Sequence, residues 1–335
     1  MRVLDGRVAI IAGGSRGVGR GCVLELAAAG ATVYVLGRTL NEGEGALPGS
    51  LTKTVHEAAE LGGVAHPVVC DLRSDDQIAS VFQRVQNEAG RLDILVNSAF
   101  DLPEGYGNED PFFETPISYW DDMTAISARS AYVTIWHAAQ CMVPRSHGLI
   151  VNISSQGSRE YFVHATYGIS KAALDRIGQD TGRELKQHGI AVVTLWPSFV
   201  LTERILAFDA DEWGLDLSSA ETPRFPGRGV VALASDPNHL SRLLIASRRR
   251  GRHVLLPRTD GARRDRQPGR DHQRRSLRRS SAAHHRRVAH DRSRVPHDID
   301  AGFVTRELRH PRLSRHAGSG STGTHNGALI VARRG

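Results

Sequence analysis

The segment that decides the fold is Val8-Ala-Ile-Ile-Ala-Gly-Gly-Ser-Arg-Gly-Val-Gly19. A short apolar run is followed at once by glycines at 13, 17 and 19, spaced G-x-x-x-G-x-G rather than G-x-G-x-x-G. Glycine allows a tight turn and a close approach to a ligand, and a helix that begins there presents its N-terminus to an anion. Such a turn also occurs without a ligand, but its place between a strand and a helix predicts a pyrophosphate site. The residues expected to form it are Gly13, Ser15, Arg16, Gly17, Val18 and Gly19.

Beyond this turn, apolar strand-like runs alternate with helix-length segments to about residue 196. The expected strands are Val8–Ala12, Thr32–Leu36, Val64–Cys70, Leu92–Val96, Leu149–Ile153 and Ile190–Trp196. The expected helices are Gly17–Ala29, Leu51–Leu61, Ser74–Glu88, Tyr119–Met142 and Tyr167–Gln187. Strands that are apolar on both faces, each followed by a helix, are typical of a parallel sheet covered on both sides. The pattern predicts the α/β class: a single domain, residues 1–257, with a Rossmann-like, doubly wound parallel sheet.

The charge divides the chain into two parts. Residues 241–335 hold 24 Arg, no Lys and 7 acidic residues, a net charge of +17. Because the whole chain has +7, the first 240 residues have −10. Residues 258–335 are therefore expected to form an irregular basic tail, disordered because it has too little apolar surface to bury. Its Arg-, His- and Ser-rich composition without Lys fits a frameshifted reading of a GC-rich gene, a genuine basic tail, or a nucleic-acid-binding segment, which its few aromatic residues disfavour.

The end of the second strand bears on the choice of dinucleotide. Sites for NAD typically have an acidic residue there for the ribose hydroxyls, whereas this chain has Leu36-Gly37-Arg38. Arg38 and Arg16 are placed to flank a 2′-phosphate, although both arginines are also compatible with simple solvent exposure. We therefore expect NADP(H) as the cofactor.

A second motif, Tyr167-Gly-Ile-Ser-Lys171, has the spacing that puts a phenol and an ammonium on one face of a helix. A nearby positive charge favours the phenolate and lowers a tyrosine pKa that is ordinarily about 10. Ser155 follows the expected strand Leu149–Ile153 and offers a hydroxyl to a substrate carbonyl. Together the three side chains predict proton transfer to a carbonyl while a cofactor supplies hydride.

These motifs, with Trp120-Asp-Asp and Leu195-Trp-Pro197, resemble the short-chain dehydrogenase/reductase family over about residues 5–240. The resemblance implies that Tyr167 is the acid–base, that Lys171 binds the nicotinamide ribose, and that Ser155 orients the substrate. It also implies cofactor contacts on the adenine side and around the nicotinamide. Those further residues are Asp71, Leu72, Asn97, Ala99, Pro197, Val200 and Thr202.

The chain departs from the family pattern at several positions. Ser127 stands where many members have an asparagine that joins a proton relay through the lysine, which puts that relay in doubt. Phe100 replaces a glycine, Ala12 replaces a threonine, and Ser198 follows Pro197 in place of glycine. Ser154 would restore the commonest spacing to the tyrosine, but the Ile-Ser-Ser motif favours Ser155.

We therefore expect a cytoplasmic NADP(H)-dependent reductase of ketones or aldehydes that forms a homo-oligomer, with no metal and no membrane segment. Two long loops rich in aromatic and apolar residues, 100–118 and 199–217, are compatible with an apolar substrate pocket or with packing alone. Two other classes remain open: a dinucleotide-binding sensor without turnover, and a nucleic-acid binder that uses the basic tail.

Overall fold

The computed structural model describes residues 2–103, 111–207, 217, 220–235 and 329–331. The chain divides into two compact units, one of residues Met1–Leu256 with Thr324–Gly335 and the other of residues Pro257–Gly323. The second unit lies wholly outside the described residues, and so does most of the predicted basic tail. The boundary at residue 257 and the character of the tail stay predictions.

The first unit alternates strands and helices as the sequence predicts. Its strands are β1 (Val8–Ala12), β2 (Thr32–Gly37), β3 (Val64–Val69), β4 (Ile94–Asn97), β5 (Gly148–Ile153), β6 (Ile190–Leu195) and β7 (Leu329–Val331). Its helices are α1 (Gly17–Ala28), α2 (Leu51–Glu60), α3 (Asp75–Ala89), α4 (Ser118–Thr124), α5 (Ser130–Met142), α6 (Ala165–Leu185), α7 (Glu203–Leu206) and α8 (Arg224–Ser235). The expected ends of α3 are confirmed, because the Ser74 hydroxyl accepts from the Gln77 N–H and Gly90 ends the helix in the left-handed conformation.

The strands form one parallel sheet in the order β3-β2-β1-β4-β5-β6-β7. The doubly wound sheet that the sequence predicts is therefore confirmed. The strand order reverses between β1 and β4, and ligands of such sheets bind in the crevice outside the strand ends at that point. The glycine-rich turn after β1 and the residues after β4 both lie there.

The core consists of two apolar layers, one on each face of the sheet. Alternate residues of β1 enter different layers: Ala9 and Ile11 belong to the layer that includes α1 and α8, and Ile10 and Ala12 belong to the layer that includes α3 and α5. All four side chains are almost completely buried. This double burial explains why the strand reads as a continuous apolar run.

Two features differ from the sequence expectation. The long helix predicted for Tyr119–Met142 is divided by a π-helical turn, Ala125–Arg129, between α4 and α5. The sheet gains a seventh strand at Leu329–Val331, which pairs with β6 in the register Thr194↔Ile330. The sequence pointed instead to His253–Leu256 as a last strand, and those residues lie outside the described part of the chain. None of the described helices is long and apolar enough to cross a membrane.

Candidate active site

The turn after β1 is built so closely that it excludes side chains. A Cβ at Gly13 would lie 2.6 Å from the Ala99 Cα, and one at Gly19 would lie 2.0 Å from the Gly13 carbonyl oxygen. Gly13 and Gly17 also have φ angles of +83° and +56°, which favour glycine. The turn therefore brings α1 and the end of β4 into backbone contact, and the α1 N-terminus faces the crevice.

A carboxylate already shows that this helix N-terminus attracts anions. The Gly17 N–H donates to a Glu203 carboxylate oxygen at 2.7 Å, and the other oxygen lies 3.6 Å from Arg20. The Thr202 methyl group is the nearest atom to a Cβ built at Gly17, at 3.3 Å, so Thr202 lies beside the glycine-rich turn, and its expected contact with the nicotinamide stays a prediction. Sequence reasoning missed Glu203, whose only signal is its place after Thr202.

The two arginines expected to flank a 2′-phosphate lie at the mouth of the crevice. Arg16 donates to the Thr39 hydroxyl at 3.1 Å and to the Gly49 carbonyl at 3.0 Å, while its buried Nε has no partner within the described residues. Arg38 is more than half exposed and donates to Asp101 at 3.0 Å. Two cationic side chains thus contact the segments that follow β2 and β4, and their role at a 2′-phosphate stays a prediction.

Two further arginines interact with the Asp101 carboxylate, one by a hydrogen bond and one electrostatically. The sequence did not reveal either of them. Arg73 donates to Asp101 at 3.1 Å and to Asp122 at 3.2 Å. Arg204 is half-buried, and burial lowers its pKa, as does the positive charge of Arg16, while Asp101 raises it. Asp101 therefore pairs with Arg38 and Arg73, and its charge also acts on Arg204.

The other residues expected on the cofactor side are divided between the crevice and the core. Asp71 follows β3, and its carboxylate accepts from the Arg73 N–H at 3.0 Å. Asn97 is buried and bonds inward, donating to Asn152 at 3.0 Å and accepting from Thr134 at 2.8 Å. Leu72 and Val200 are buried, whereas Ala99 and Pro197 are half-buried. Asn97 thus holds neighbouring strands together and leaves only its backbone to the crevice.

Ser155, Tyr167 and Lys171 are brought together at the end of β5. The Ser155 hydroxyl lies 2.8 Å from the Tyr167 hydroxyl, and it also accepts from the Gly157 N–H at 3.2 Å, which fixes its direction. The Lys171 Nζ is buried and donates to the Ile153 carbonyl at 3.3 Å. Ser154 is buried and instead donates to the Lys171 carbonyl at 3.4 Å, so Ser155 is the serine that meets the phenol.

Burial has the largest effect on the pKa values of Tyr167 and Lys171. It raises the pKa of the Tyr167 phenol, and the hydrogen bond from Ser155 only partly offsets this. It lowers the pKa of Lys171 to about 8, against the attraction of Asp175. The expected lowering of the tyrosine pKa is therefore not what the fold produces, because desolvation of the phenol outweighs the stabilisation of its anion. Both groups are mainly protonated at neutral pH.

Ser127 lies in the π-helical turn, which packs against α6. Its hydroxyl is buried and has no hydrogen-bond partner within the described residues. A buried hydroxyl without a partner is costly unless it meets water or a ligand. Ser127 thus occupies the expected relay position, and its hydroxyl is left without a hydrogen bond to the described residues.

Apolar side chains surround the trio. The Phe100 ring lies edge-on to Tyr167 with the centroids 5.5 Å apart, and the Phe162 ring lies 6.1 Å from Tyr167. Phe112, Phe113, Tyr161 and Leu206 are each more than half exposed. Phe208, Trp213 and Leu215, which the sequence also placed in the second loop, lie outside the described residues. Phe100 and Phe162 thus form an apolar rim beside Tyr167, and Phe162 is open to solvent.

The sheet, the glycine-rich turn at its switch point and the Ser–Tyr–Lys cluster define a class of protein, the dinucleotide-binding α/β oxidoreductases. Residues 7–213 match the sequence profile of the short chain dehydrogenases. The chain therefore belongs to the short-chain dehydrogenase/reductase family.

Similar proteins of known name and structure fit this assignment. The chain is 41% identical to the mouse protein "Dehydrogenase/reductase SDR family member 1" and 42% identical to its human counterpart, each over 71% of this chain and 78% of the relative. It also resembles the crystal structure of a metagenomic short-chain oxidoreductase in complex with NADP. That structure has a TM-score of 0.58 and 27% identity, over 70% of this chain and 92% of the other.

Proposed function

We propose that this protein is an NADP(H)-dependent oxidoreductase that interconverts a carbonyl and an alcohol, with Tyr167 as the acid–base. The observation that carries the proposal is the 2.8 Å contact between the Ser155 and Tyr167 hydroxyls, beside the buried ammonium of Lys171. These are the groups that carbonyl reduction needs: a donor to hold the oxygen, an acid to protonate it, and a charge to stabilise the anion that remains.

The chain's own residues handle the proton. The nicotinamide of a bound cofactor would supply the hydride for the carbonyl carbon. The Tyr167 hydroxyl gives its proton to the carbonyl oxygen, which Ser155 holds, and the phenolate later regains a proton from solvent. Tyr167 stands in the first turn of α6, where the helix N-terminus, like the Lys171 ammonium, stabilises that phenolate.

Several features support NADP(H) as the cofactor. The close-packed turn at Gly13 and Gly19 excludes side chains, as a backbone cradle for a pyrophosphate requires, and the α1 N-terminus already binds a carboxylate. The buried Nε of Arg16, which has no partner within the described residues, and the two arginines that pair with Asp101 fit a 2′-phosphate. Gly13, Ser15, Gly17, Val18 and Gly19 would hold the pyrophosphate, Arg16 and Arg38 the 2′-phosphate, and Lys171 and Thr202 the nicotinamide side.

The apolar rim supports a substrate with a substantial hydrocarbon part. Phe162 exposes a large apolar side chain beside Tyr167, and the segments before α4 and α6 and helix α7 expose four more, Phe112, Phe113, Tyr161 and Leu206, which is more apolar surface than a carbonyl group alone requires. A homo-oligomer is part of the same proposal, because exposed aromatic residues on α5, such as Tyr132 and Trp136, are suited to contacts between subunits.

The experiment is an assay of NADPH oxidation against a panel of aliphatic and aromatic ketones and aldehydes, with NADH in parallel. Tyr167→Phe removes only the hydroxyl, so it is expected to lower turnover by about 10²-fold or more and to leave NADPH binding nearly unchanged. Tyr161→Phe is the matched control, because Tyr161 is exposed, its hydroxyl donates only to the Val163 carbonyl within the described residues, and the substitution keeps its apolar ring.

Two outcomes would contradict the proposal. Full activity in Tyr167→Phe would exclude Tyr167 as the acid. Tight NADPH binding by the wild-type chain without turnover of any carbonyl would favour the sensor that the sequence left open.

A further inference from the structure

Asp175 is a buried carboxylate in α6 whose role the proposed chemistry does not explain. Its side chain is only 7% exposed. One oxygen accepts from the Ser158 hydroxyl at 2.6 Å, and the other accepts from the Trp196 indole N–H at 3.1 Å. Burying a carboxylate is costly unless its oxygens are hydrogen-bonded, so both bonds are needed to keep this charge inside the protein.

The two bonds join α6 to elements that carry the candidate active site. Ser158 ends the 3₁₀ turn Gln156–Ser158, which begins directly after Ser155. Trp196 directly follows β6, and its ring lies 5.2 Å from the Arg159 guanidinium. Through Asp175, the helix that carries Tyr167 is therefore tied to the turn that orients Ser155.

Asp175 also lies one helical turn after Lys171, on the same face of α6. The groups that face the Lys171 ammonium are the Ile153 carbonyl, the Phe100 ring 4.5 Å from Nζ, and the Tyr167 ring 5.9 Å away. All three are uncharged while Tyr167 is protonated. In the described part of the chain, Asp175 is the charged group that acts on Lys171, and it raises the pKa that burial lowers.

We propose that Asp175 is a positioning residue of the active site, which anchors the Ser155 turn to α6 and supplies the counter-charge of the Lys171 ammonium. The kinetic part of this inference rests on the proposed function, whereas the electrostatic part does not. A bridge made only for packing would have no need of a full charge in the interior, because a neutral amide at this position can also join the two groups, accepting from the Trp196 N–H through its oxygen and donating to the Ser158 hydroxyl through its NH2 group.

Two substitutions separate the charge from the anchor. Asp175→Asn keeps the shape of the side chain and loses the charge. Ser158→Ala keeps the charge and loses the bond to the Ser155 turn. Asp180→Asn is the control, because Asp180 lies on the same helix, is about half exposed, and pairs only with Arg176 within the described residues.

The charge is read by the pH titration of lysine side chains in ¹³C-lysine-labelled full-length protein. The chain contains only three lysines, Lys53, Lys171 and Lys186, so each signal can be assigned by substitution. In Asp175→Asn the Lys171 midpoint is expected to move to lower pH, while those of Lys53 and Lys186 stay unchanged. Ser158→Ala and Asp180→Asn are expected to leave all three midpoints unchanged.

The anchor is tested by steady-state kinetics with varied NADPH, which give kcat and the KM for NADPH. Ser158→Ala is expected to lower kcat by roughly tenfold with little change in the KM for NADPH, because Ser155 is displaced rather than the cofactor site. Asp180→Asn is expected to retain the wild-type kcat. A Lys171 midpoint unmoved by Asp175→Asn would overturn the counter-charge, and a wild-type kcat in Ser158→Ala would overturn the anchor.

The design separates this inference from the proposed function. If the wild-type chain reduced no carbonyl, the proposed function would fail, but the Lys171 titration would still decide the role of Asp175. If Asp175→Asn did not fold, Ser158→Ala alone would test the anchor, since that substitution removes one neutral hydroxyl.

Discussion

The rings of Phe100 and Tyr167 stand perpendicular to each other, with their centroids 5.5 Å apart, and the Lys171 Nζ lies 4.5 Å from the centre of the Phe100 ring. Phe100 occupies a position where the family pattern has glycine. Its side chain therefore adds an aromatic wall to the site and touches both residues of the Tyr-x-x-x-Lys motif. An ammonium at this distance from an aromatic face is stabilised by roughly 0.5–2 kcal/mol.

This arrangement predicts that the aromatic ring at position 100 matters more than its volume. Phe100→Leu keeps an apolar side chain but loses the ring face, and it is expected to lower kcat/KM for the carbonyl by about three- to tenfold, the rate equivalent of a cation–π contact. Phe100→Tyr keeps the ring and should stay near the wild-type value. Steady-state kinetics of the three proteins measure the difference, and equal activity in Phe100→Leu would dismiss the contact.

Cofactor preference is expected to depend on Asp101. Its carboxylate pairs with Arg38 and Arg73, so it competes with a 2′-phosphate for the same guanidinium groups. Asp101→Asn is therefore expected to lower the Kd for NADPH by a few-fold and to change the Kd for NADH less; the effect is modest because the Arg38 side chain is 55% exposed.

Fluorescence titration with both dinucleotides measures this preference, and Arg38→Ala provides the opposite case. That variant should weaken NADPH binding by about tenfold and leave NADH nearly unaffected, since only NADPH has the phosphate that Arg38 would bind. Equal changes for the two dinucleotides in either variant would remove the 2′-phosphate from this pocket.

Substitution of Ser127 is expected to change stability and activity independently. Ser127→Ala removes a buried hydroxyl that has no partner within the described residues, so the free energy of unfolding should stay the same or rise by up to about 1 kcal/mol. If the hydroxyl holds a water of the proton relay, turnover should fall several-fold. Thermal unfolding and kcat measured on one preparation test both parts, and an unchanged kcat would show that no relay passes through Ser127.

The π-helical turn around Ser127 shows where sequence reasoning reaches its limit. The strands were predictable because residues such as Ile10 and Ile11 are buried on opposite faces of the sheet, which leaves a continuous apolar run. The Ser155–Tyr167–Lys171 cluster was predictable because its spacing is local. One extra residue in a helical turn changes neither composition nor periodicity, so the interval Tyr119–Met142 reads as one helix.

Contacts between segments far apart in the sequence could not be predicted from it either. Glu203 meets Gly17 across 186 positions of sequence, and Asp175 is buried by partners from two other elements. A carboxylate in a helix is ordinarily a solvent-facing residue, and only the tertiary structure reveals that its oxygens are satisfied inside. These are the residues that the fold adds to the candidate site.

The pH dependence of reduction should follow the lysine. The pKa of Lys171 is about 8 because the ammonium is buried, and burial raises the pKa of Tyr167 above its ordinary value. At pH 7 both groups carry their protons. As the pH rises through about 8, Lys171 loses the charge that stabilises the phenolate and holds the ribose, whereas Tyr167 remains protonated. The kcat/KM for NADPH, which reports the free enzyme, should therefore be level below pH 7 and fall above about pH 8. A level profile to pH 9.5 would contradict this assignment.

The seventh strand is expected to stabilise the edge of the sheet. Leu329–Val331 pairs with β6 at Thr194↔Ile330, so a segment of the Arg-rich tail covers the edge of a sheet whose residues Val193 and Leu195 are buried. An uncovered apolar edge strand favours intermolecular pairing. Ile330→Pro introduces a residue that cannot donate to the ladder, and it is expected to cost about 2 kcal/mol, to lower the thermal midpoint by about 5 °C, and to increase aggregation.

Ile330→Val is the conservative control, since it keeps a β-branched apolar residue in the strand. A chain shortened after Pro257 loses the strand altogether, so it should be at least as unstable as Ile330→Pro. Differential scanning calorimetry and light scattering of the four proteins decide between two accounts of the tail. If Ile330→Pro and the shortened chain both keep the wild-type midpoint, β7 contributes nothing to the fold, as a frameshifted segment without a selected role would behave. If both are destabilised together, the last residues of the chain belong to the sheet, and the tail has at least one structural function despite its composition.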